Sequence, residues 1–321
     1  MSPSGTHLGI APPRLSLLAF LALALIAAAC GETPTQPLEV EPSFAKATHW
    51  PGKIVFVSQA SGNNDIYIMD ADGTDILNLT GPNSVHEFSP ELSPDGTRIA
   101  FTRNSQVWWM YASGRGARFV AAGYDPAWSP DGTQLVFTRN DDFNGPAPGI
   151  DVNLYVINAD GTGELPLAIG PGTQHEPTWA PHQDVTYVSN GQLVGPGIPS
   201  GAFEGREPEW SPDGTKLAYH ASQQYGGGAH VNDQIYVYEP GTLLPVRVTN
   251  TVDPIADRSP TFSPDGDHIV FMRTDDWNFD DFRQVSWSAV RGVWYQEPGA
   301  LGSGLEPHWG PCAPSRTFPP C

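Results

Sequence analysis

Residues 208–219 read PEWSPDGTKLAY, residues 126–137 read PAWSPDGTQLVF, residues 90–101 read PELSPDGTRIAF and residues 260–271 read PTFSPDGDHIVF. A degraded copy, PTWAPHQDVTYV, occupies 177–188, and a truncated one, PHWGP, occupies 307–311. Self-similarity at this period marks a repeat architecture in which each copy is one supersecondary unit. The full unit decodes simply. A short strand carries one large apolar side chain, namely Leu92, Trp128, Trp179, Trp210, Phe262 or Trp309. Pro-Asp-Gly then reverses the chain, because proline presets φ and glycine accepts a positive φ without steric cost. The next strand alternates apolar positions, as at Ile99 and Phe101 or Leu135 and Phe137.

Working outward, a third strand follows in most units: 65–70 DIYIMD, 106–111 QVWWMY, 152–157 VNLYVI, 234–238 QIYVY and 284–289 QVSWSA. Weaker outer strands are expected at 76–80, 118–122, 165–169 and 246–249. Four strands per unit, with turn motifs spaced ~43 residues apart on average, match the blade of a β-propeller. The unit from Ala180 to Ser211 is short, its later strands are hard to find in QLVGPGIPSGAF, and it reads as a reduced fourth blade. The first unit opens directly on a second-type strand, KIVFVS at 53–58, and the last motif, Glu306 to Pro311, is a first-type strand with nothing after it. Pairing the two closes the ring and leaves no open edge between first and last blades. The expected fold is therefore all-β, a six-bladed propeller over residues 50–311, closed by the C-terminal strand.

The units resemble the WD-like repeats of the TolB propeller family. The family style is E-P-x-W-S-P-D-G-x-x-[IL]-[AV]-[FY], then an I-Y-[VI]-M-[DN]-A-D-G-[ST] strand and turn, then a strand ending in L-T. Glu207 to Tyr219 follows the first part, Ile66 to Thr74 and Leu154 to Thr162 the second, and Leu79–Thr80 the third. The resemblance implies an extracytoplasmic propeller. TolB itself carries an α/β domain ahead of its propeller, whereas only about twenty linker residues precede the first strand here, so the resemblance extends to the propeller alone. It does not by itself imply a function, because folds host many functions.

The ends of the chain carry other signals. Residues 15–29, LSLLAFLALALIAAA, follow Arg14 and finish in small residues, as a secretory signal does. Ile26 to Cys30 resembles a bacterial lipobox, which implies a lipidated Cys30 at the mature N-terminus; ordinary cleavage after Ala29, leaving a free Cys30, is the alternative. Gly31 at the next position leans the resemblance towards the outer membrane. Residues 30–49 then form the lipidated cysteine and a proline-containing tether, so that contact with the membrane runs through the lipid anchor only. In the tail, 312–321, Cys312 and Cys321 are expected to pair, since an even pair in an oxidising compartment reads most simply as one disulfide loop.

The chain has 321 residues and a net charge of −19, from 35 acidic against 16 basic residues. That balance argues against nucleic-acid binding, which wants a basic face, and suits cationic partners or divalent metals. No catalytic constellation is evident. There is no G-x-S-x-G elbow and no H-E-x-x-H, and Ser43-x-x-Lys46 lies in the tether, off any rigid element. With ten residues after the last repeat, no C-terminal hydrolase domain is expected. Asp70 to Asp75 has the look of a calcium loop but lacks the EF-hand pattern and reads as a hairpin turn, as does Asn158 to Thr162.

Candidate chemistry gathers at the first strands, which border the central channel. Just before each motif proline stand Ser89, Asp125, Glu176, Glu207, Ser259 and Glu306, and one residue earlier stand Phe88, Tyr124, His175, Arg206, Arg258 and Leu305. Asp125, His175, Glu176, Arg206, Glu207, Arg258 and Glu306 are thus candidates for a ligand site at one channel mouth, open to a divalent cation, a peptide or a small polar ligand. The competing reading is structural: the carboxylates accept hydrogen bonds from neighbouring blade backbones or pair with Arg206 and Arg258. Inserts at 140–151, 222–233 and 274–282 share one face and suit contact with an envelope protein, a peptide or a glycan. The leading expectation is a monomeric, non-enzymatic binding or scaffolding propeller without a cofactor. A glycan-active lyase or hydrolase working at the channel mouth is the runner-up.

Overall fold

The computed structural model describes residues 52–81, 84–141, 151–224, 231–251, 255–275, 278–288, 293–296 and 304–313. The expected signal segment, Cys30, the tether, Cys321 and most of the 140–151 insert lie outside the described residues.

Among the described residues six antiparallel sheets follow one another along the chain. Blade 1 opens with β1 (Lys53–Ser58), β2 (Asp65–Asp70) and β3 (Leu77–Asn78). Blade 2 is β4 (Glu87–Leu92), β5 (Arg98–Arg103), β6 (Gln106–Tyr111) and β7 (Arg118–Ala122). Blade 3 is β8 (Tyr124–Trp128), β9 (Gln134–Asn140), β10 (Val152–Asn158) and β11 (Leu165–Ala168). Blade 4 has three strands, β12 (Gln174–Trp179), β13 (Val185–Ser189) and β14 (Gln192–Val194). Blade 5 is β15 (Arg206–Trp210), β16 (Leu217–Gln224), β17 (Val231–Tyr238) and β18 (Val246–Arg247). Blade 6 is β19 (Ala256–Phe262), β20 (His268–Asp275), β21 (Asn278–Ser288) and β22 (Val293–Gln296). Finally β23 (Leu305–Gly310) pairs with β1, in the register Lys53↔Gly310, Ile54↔Trp309 and Val55↔His308. The result is a propeller of five four-stranded blades and a partial sixth, closed by its C-terminal strand. Among the described residues no helix is long and apolar enough to cross a membrane.

The repeated turn shows why its residues recur. Ser129 Oγ accepts the Gln134 N–H at 2.9 Å and donates to Asp131 Oδ1 at 2.7 Å. Asp131 Oδ1 in turn accepts the N–H and the hydroxyl of Thr133, at 3.0 and 2.8 Å. Those hydrogen bonds, the Thr133 N–H foremost, hold the Asp131 carboxyl below its usual range. The same set recurs at Ser93, Asp95 and Thr97, and at Ser211, Asp213 and Thr215. Each polar residue of S-P-D-G-T is therefore a local partner for backbone groups that the turn would otherwise leave unpaired. The Asp70–Thr74 segment is a hairpin turn as expected, with Asp70 N–H donating to the Thr74 carbonyl at 2.8 Å, and Asn158–Thr162 repeats it at 2.9 Å.

The core lies between blades. Along β1, Ile54 and Phe56 pack with Val270 of blade 6, while Val55 packs with Leu92, Ile99 and Phe101 of blade 2. Alternate side chains of one strand thus enter two separate interfaces, which is why these strands read as nearly continuous apolar runs. Trp128, Leu135 and Phe137 pack with Trp109 and Val107 between blades 2 and 3, and Trp210, Leu217 and Tyr219 pack with Val188 and Leu193 between blades 4 and 5. Closure is tight: a Cβ at Gly310 would lie 2.7 Å from Leu92 Cβ, so that position has room for glycine alone.

Some boundaries differ from the sequence expectation. The outer strands expected at 76–80 and 246–249 shorten to Leu77–Asn78 and Val246–Arg247. Two inserts read as loops extend their hairpins at the described ends, since β16 pairs with β17 out to Gln224↔Val231 and β20 with β21 out to Asp275↔Asn278. Backbone pairing continues wherever the register allows it, whatever the side-chain polarity. The fourth blade keeps a third strand, β14, in the stretch where none was evident, and Gln192 bridges to Glu204 beyond it.

Candidate functional site

Every first strand carries the same irregularity. The pairing register shifts between Phe88 and Glu91, Tyr124 and Ala127, His175 and Thr178, Arg206 and Glu209, and Arg258 and Thr261, and in the closing pair between Val55 and Val57. Each shift is a β-bulge that re-aims side chains. The residue before each motif proline sits in the left-handed region, with φ of 49° at Ser89, Asp125, Glu207, Ser259 and Glu306 and 51° at Glu176. A non-glycine residue there costs about 1–2 kcal/mol. Six repetitions of that cost persist because the bulge, the proline and the neighbouring blade together over-determine the conformation.

The bulges turn six polar side chains into one cavity of about 320 Å³ on the central channel, lined by Ser89, Asp125, Glu176, Glu207, Ser259 and Glu306. Their oxygens tie neighbouring blades together. Glu306 of blade 1 accepts the Ser89 N–H of blade 2 at 2.5 Å. Glu176 of blade 4 accepts the Glu207 N–H of blade 5 at 2.7 Å. Glu207 accepts both the N–H and the hydroxyl of Ser259 in blade 6, each at 2.8 Å. Asp125 accepts the Ser89 hydroxyl at 2.7 Å, and its own N–H donates to Thr102 Oγ1 at 3.1 Å. The structural role anticipated for the carboxylates is therefore present.

Two residues further along each strand lies a second ring. Glu91 accepts the Trp128 N–H of blade 3 at 2.8 Å. Glu209 accepts the Thr261 hydroxyl at 3.0 Å and the Phe262 N–H at 3.1 Å from blade 6. His308 Nδ1 accepts the Leu92 N–H at 3.2 Å. All three also line the cavity. The sequence reading did not single out Glu91 and Glu209; the signal was their spacing of two from the mouth residues, which keeps them on the channel side of the strand.

The electrostatics divide the site. Burial raises the Glu306 carboxyl to about 7, with Asp125 and Glu207 adding repulsion, and raises Asp125 to about 6, with Glu176 and Glu207 adding repulsion. Burial lifts Glu209 to about 8 and Glu91 well above its usual range, and lowers His308 to about 4, so burial disfavours the charged form of each inner-ring group. Glu207 is the exception. Burial pushes it up, but the adjacent His220 imidazole and the two Ser259 donors outweigh that and hold it at about 2. His220 Nδ1 stands 3.3 Å from Glu207 Oε2.

Of the basic candidates, His175 Nδ1 stands 3.1 Å from Glu176 Oε1, and the largely exposed Arg206 reaches the same oxygen at 3.5 Å. Both sit at the rim and neither lines the cavity. Arg258 turns away from the ring carboxylates and pairs with Asp233 on β17. His220 joined the site through β16, where it pairs with Arg206 across the sheet, a neighbourhood that sequence separation conceals.

No family model matches the chain. Over 196 residues it is 30% identical to the protein TolB homolog of Chlorobium luteolum, covering 59% of this chain and 34% of that one. Over 140 residues it is 32% identical to the protein TolB homolog of Chlorobaculum tepidum, covering 41% of this chain and 30% of that one. The crystal structure of TolB from Acinetobacter baumannii superposes on 81% of this chain and 67% of its own, with a TM-score of 0.58 at 19% identity. This chain is a TolB-like β-propeller. The matched stretches span about a third of the length of these curated relatives. An oligogalacturonate lyase in complex with manganese shares the fold as well, with a TM-score of 0.52 at 16% identity over 76% of this chain and 73% of that one.

Proposed function

We propose that this TolB-like propeller is a non-enzymatic binding or scaffolding module of the bacterial envelope, which receives a cationic group of a protein or peptide partner at its channel mouth. The observation that carries this reading is the sign of the mouth. Six acidic side chains line the cavity, Asp125, Glu176, Glu207 and Glu306 in the mouth ring and Glu91 and Glu209 in the inner one, and among the described residues no lysine or arginine does. A recessed ring of one charge sign focuses field lines and selects ligands of the opposite sign. The module stands outside the cytoplasm, held on the membrane through a lipidated Cys30, with Cys312 and Cys321 joined as a loop in the tail.

Calorimetry with a tri-lysine peptide at low salt tests the binding reading. The wild-type protein binds and loses affinity as salt rises, and the triple substitution Glu176→Gln, Glu207→Gln and Glu306→Gln abolishes binding while keeping an acceptor oxygen at each position. Equal binding by the triple variant refutes the mouth as the site. Mass spectrometry of the mature N-terminus decides the anchor: an unmodified Cys30, or one retained behind an uncleaved leader, refutes it.

A second reading, a glycan-active lyase or hydrolase, draws on the inner ring, where His308, held down by burial, and Glu91 and Glu209, raised by burial, line one channel as candidate base and acids. Turnover of an oligouronide, followed by the ultraviolet absorbance of an unsaturated product and lost in His308→Ala, would establish it.

A further inference from the structure

We propose that the face of the propeller bearing the S-P-D-G turns docks on a zwitterionic lipid surface, into which blade 5 inserts its turn leucines Leu243 and Leu244, so that the channel mouth points away from the bilayer. This rests on the reading that the chain is anchored at Cys30, and it adds a second contact and an orientation.

Strand connectivity fixes the two faces. Each first strand runs from the mouth to its S-P-D-G turn, the second strand runs back, and the third returns. The turns that lead to the outer strands therefore share the S-P-D-G face: the Ala112 N–H donates to the Thr97 carbonyl and the Ala159 N–H to the Thr133 carbonyl, each at 2.9 Å. The chain enters blade 1 on this same face. A Cβ at Gly52 would lie 2.8 Å from Trp309 Nε1, near the end of the closing strand, and 2.9 Å from Pro264 in the turn of blade 6. The 21 residues between Cys30 and Gly52 span at most about 75 Å. With Cys30 in lipid, the pull on the propeller acts at Gly52, and so on the face of the turns.

That face carries apolar side chains that nothing in the fold covers. Leu243 is 94% exposed and Leu244 75%. The repeats show that the turn does not require them. After Gly-Thr, blades 1 and 3 place Asp75 and Gly163 where blade 5 places Leu243. The turn is nevertheless well held: the Thr242 N–H and hydroxyl both donate to the Glu239 carbonyl, at 3.0 and 2.8 Å, and the Tyr238 hydroxyl donates to the Gly197 carbonyl at 3.0 Å. Around the rim, the first or second residue of each neighbouring outer strand is apolar and more than half exposed, namely Leu77, Phe119, Leu165 and Val246.

Exposed apolar side chains grouped on one face mark a surface that another phase or partner covers. The anchor selects lipid. Tethering makes insertion intramolecular, so a contact too weak to hold a free protein suffices. Burying one leucine in hydrocarbon favours the docked state about ten-fold or more. The lipid type follows from charge, because Asp95, Asp131 and Asp213 stand exposed on the same face and repel an anionic surface.

Photolabelling tests this. The mature protein is placed by its own N-terminus in vesicles of phosphatidylcholine and phosphatidylethanolamine doped with a phosphatidylcholine that carries a diazirine in its acyl chain, and adducts are mapped by mass spectrometry. Adducts should concentrate in residues 239–247 and be absent from Arg206 and from His220–Gln224 at the mouth end of blade 5. The double variant Leu243→Asp and Leu244→Asp should stay vesicle-bound through Cys30 and keep the wild-type urea midpoint, since both side chains are exposed. Its adducts in 239–247 should fall about ten-fold or more. Replacing part of the phosphatidylcholine by phosphatidylglycerol should lower the wild-type yield there. A vesicle-bound wild type whose turn takes no adduct, or a variant with an unchanged pattern, overturns the docking, assigns the leucines to a protein partner and leaves the anchor standing. Protein that does not float with the vesicles overturns both.

Discussion

Replacing Glu207 separates hydrogen bonding from backbone strain at the mouth. Its carboxylate accepts two donors of Ser259 at 2.8 Å each, and its backbone holds φ at 49°. Glu207→Ala removes both acceptor contacts. A hydrogen bond to an ionised group contributes about 1.5–3 kcal/mol. Because the side chain is 38% exposed, channel water replaces part of that, and the pair is expected to cost about 2 kcal/mol. Glu207→Gly loses the same contacts but frees the left-handed backbone of its Cβ, a relief of about 1–2 kcal/mol. Greater freedom of glycine in the unfolded chain offsets some of this, by roughly 0.4–1 kcal/mol. The glycine variant should therefore be more stable than the alanine variant by about 1 kcal/mol, the reverse of their order at an ordinary strand position. Glu207→Gln retains an acceptor and should stay above Glu207→Ala. Urea denaturation followed by tryptophan fluorescence gives the order, and hydrogen exchange of the Ser259 amide gives the local effect, faster in the alanine and glycine variants than in the glutamine one. Alanine equal to or more stable than glycine would refute the strained bulge.

Three further outcomes are expected. Asp125, Glu306 and Glu209 bind protons more tightly folded than unfolded, at about 6, 7 and 8; the stability they contribute is complete below the ordinary carboxylate range near 4 and is lost as pH rises through 6 to 8. The urea midpoint should accordingly fall from about pH 5 to about pH 9, less so in the triple variant Asp125→Asn, Glu209→Gln and Glu306→Gln, and a midpoint insensitive to pH in the wild type counts against the assignment. Trp309, 2% exposed and packed with Ile54 and Val270, closes the ring, and Trp309→Ala should cost about 3–5 kcal/mol by guanidinium denaturation. Ser129→Ala removes one donor and one acceptor at a buried serine and should cost about 1–2 kcal/mol, with a similar loss for Ser211→Ala that adds to the first because the turns belong to different blades; a loss under ~0.3 kcal/mol would mean that the turn does not depend on its serine.

The blades were legible because their information is local. Ser129, Asp131 and Thr133 satisfy backbone groups within five residues of one another, so the turn is written in adjacent letters. The closing strand was legible for a related reason: Glu306 to Pro311 repeats the start of a unit and lacks its continuation. Strand ends were less legible. The extended hairpins of blades 5 and 6 run through polar residues, where pairing depends on register rather than on apolar alternation. The mouth ring was legible as six equivalent positions, while Glu91 and Glu209 of the inner ring went unmarked, because the roles of these side chains come from N–H groups of the next blade.

The sequence by itself thus determined the repeat, the turn chemistry, the all-β class and the position in each unit from which a polar side chain enters the channel. Tertiary structure alone decided which charges act together there. Arg258 and Arg206 occupy equivalent places before their prolines, yet one pairs with Asp233 and the other reaches Glu176. Ser89 joins residues 36 and 217 positions away. Electrostatic energy depends on distance and on the surrounding dielectric, and both are set only when the ring has closed.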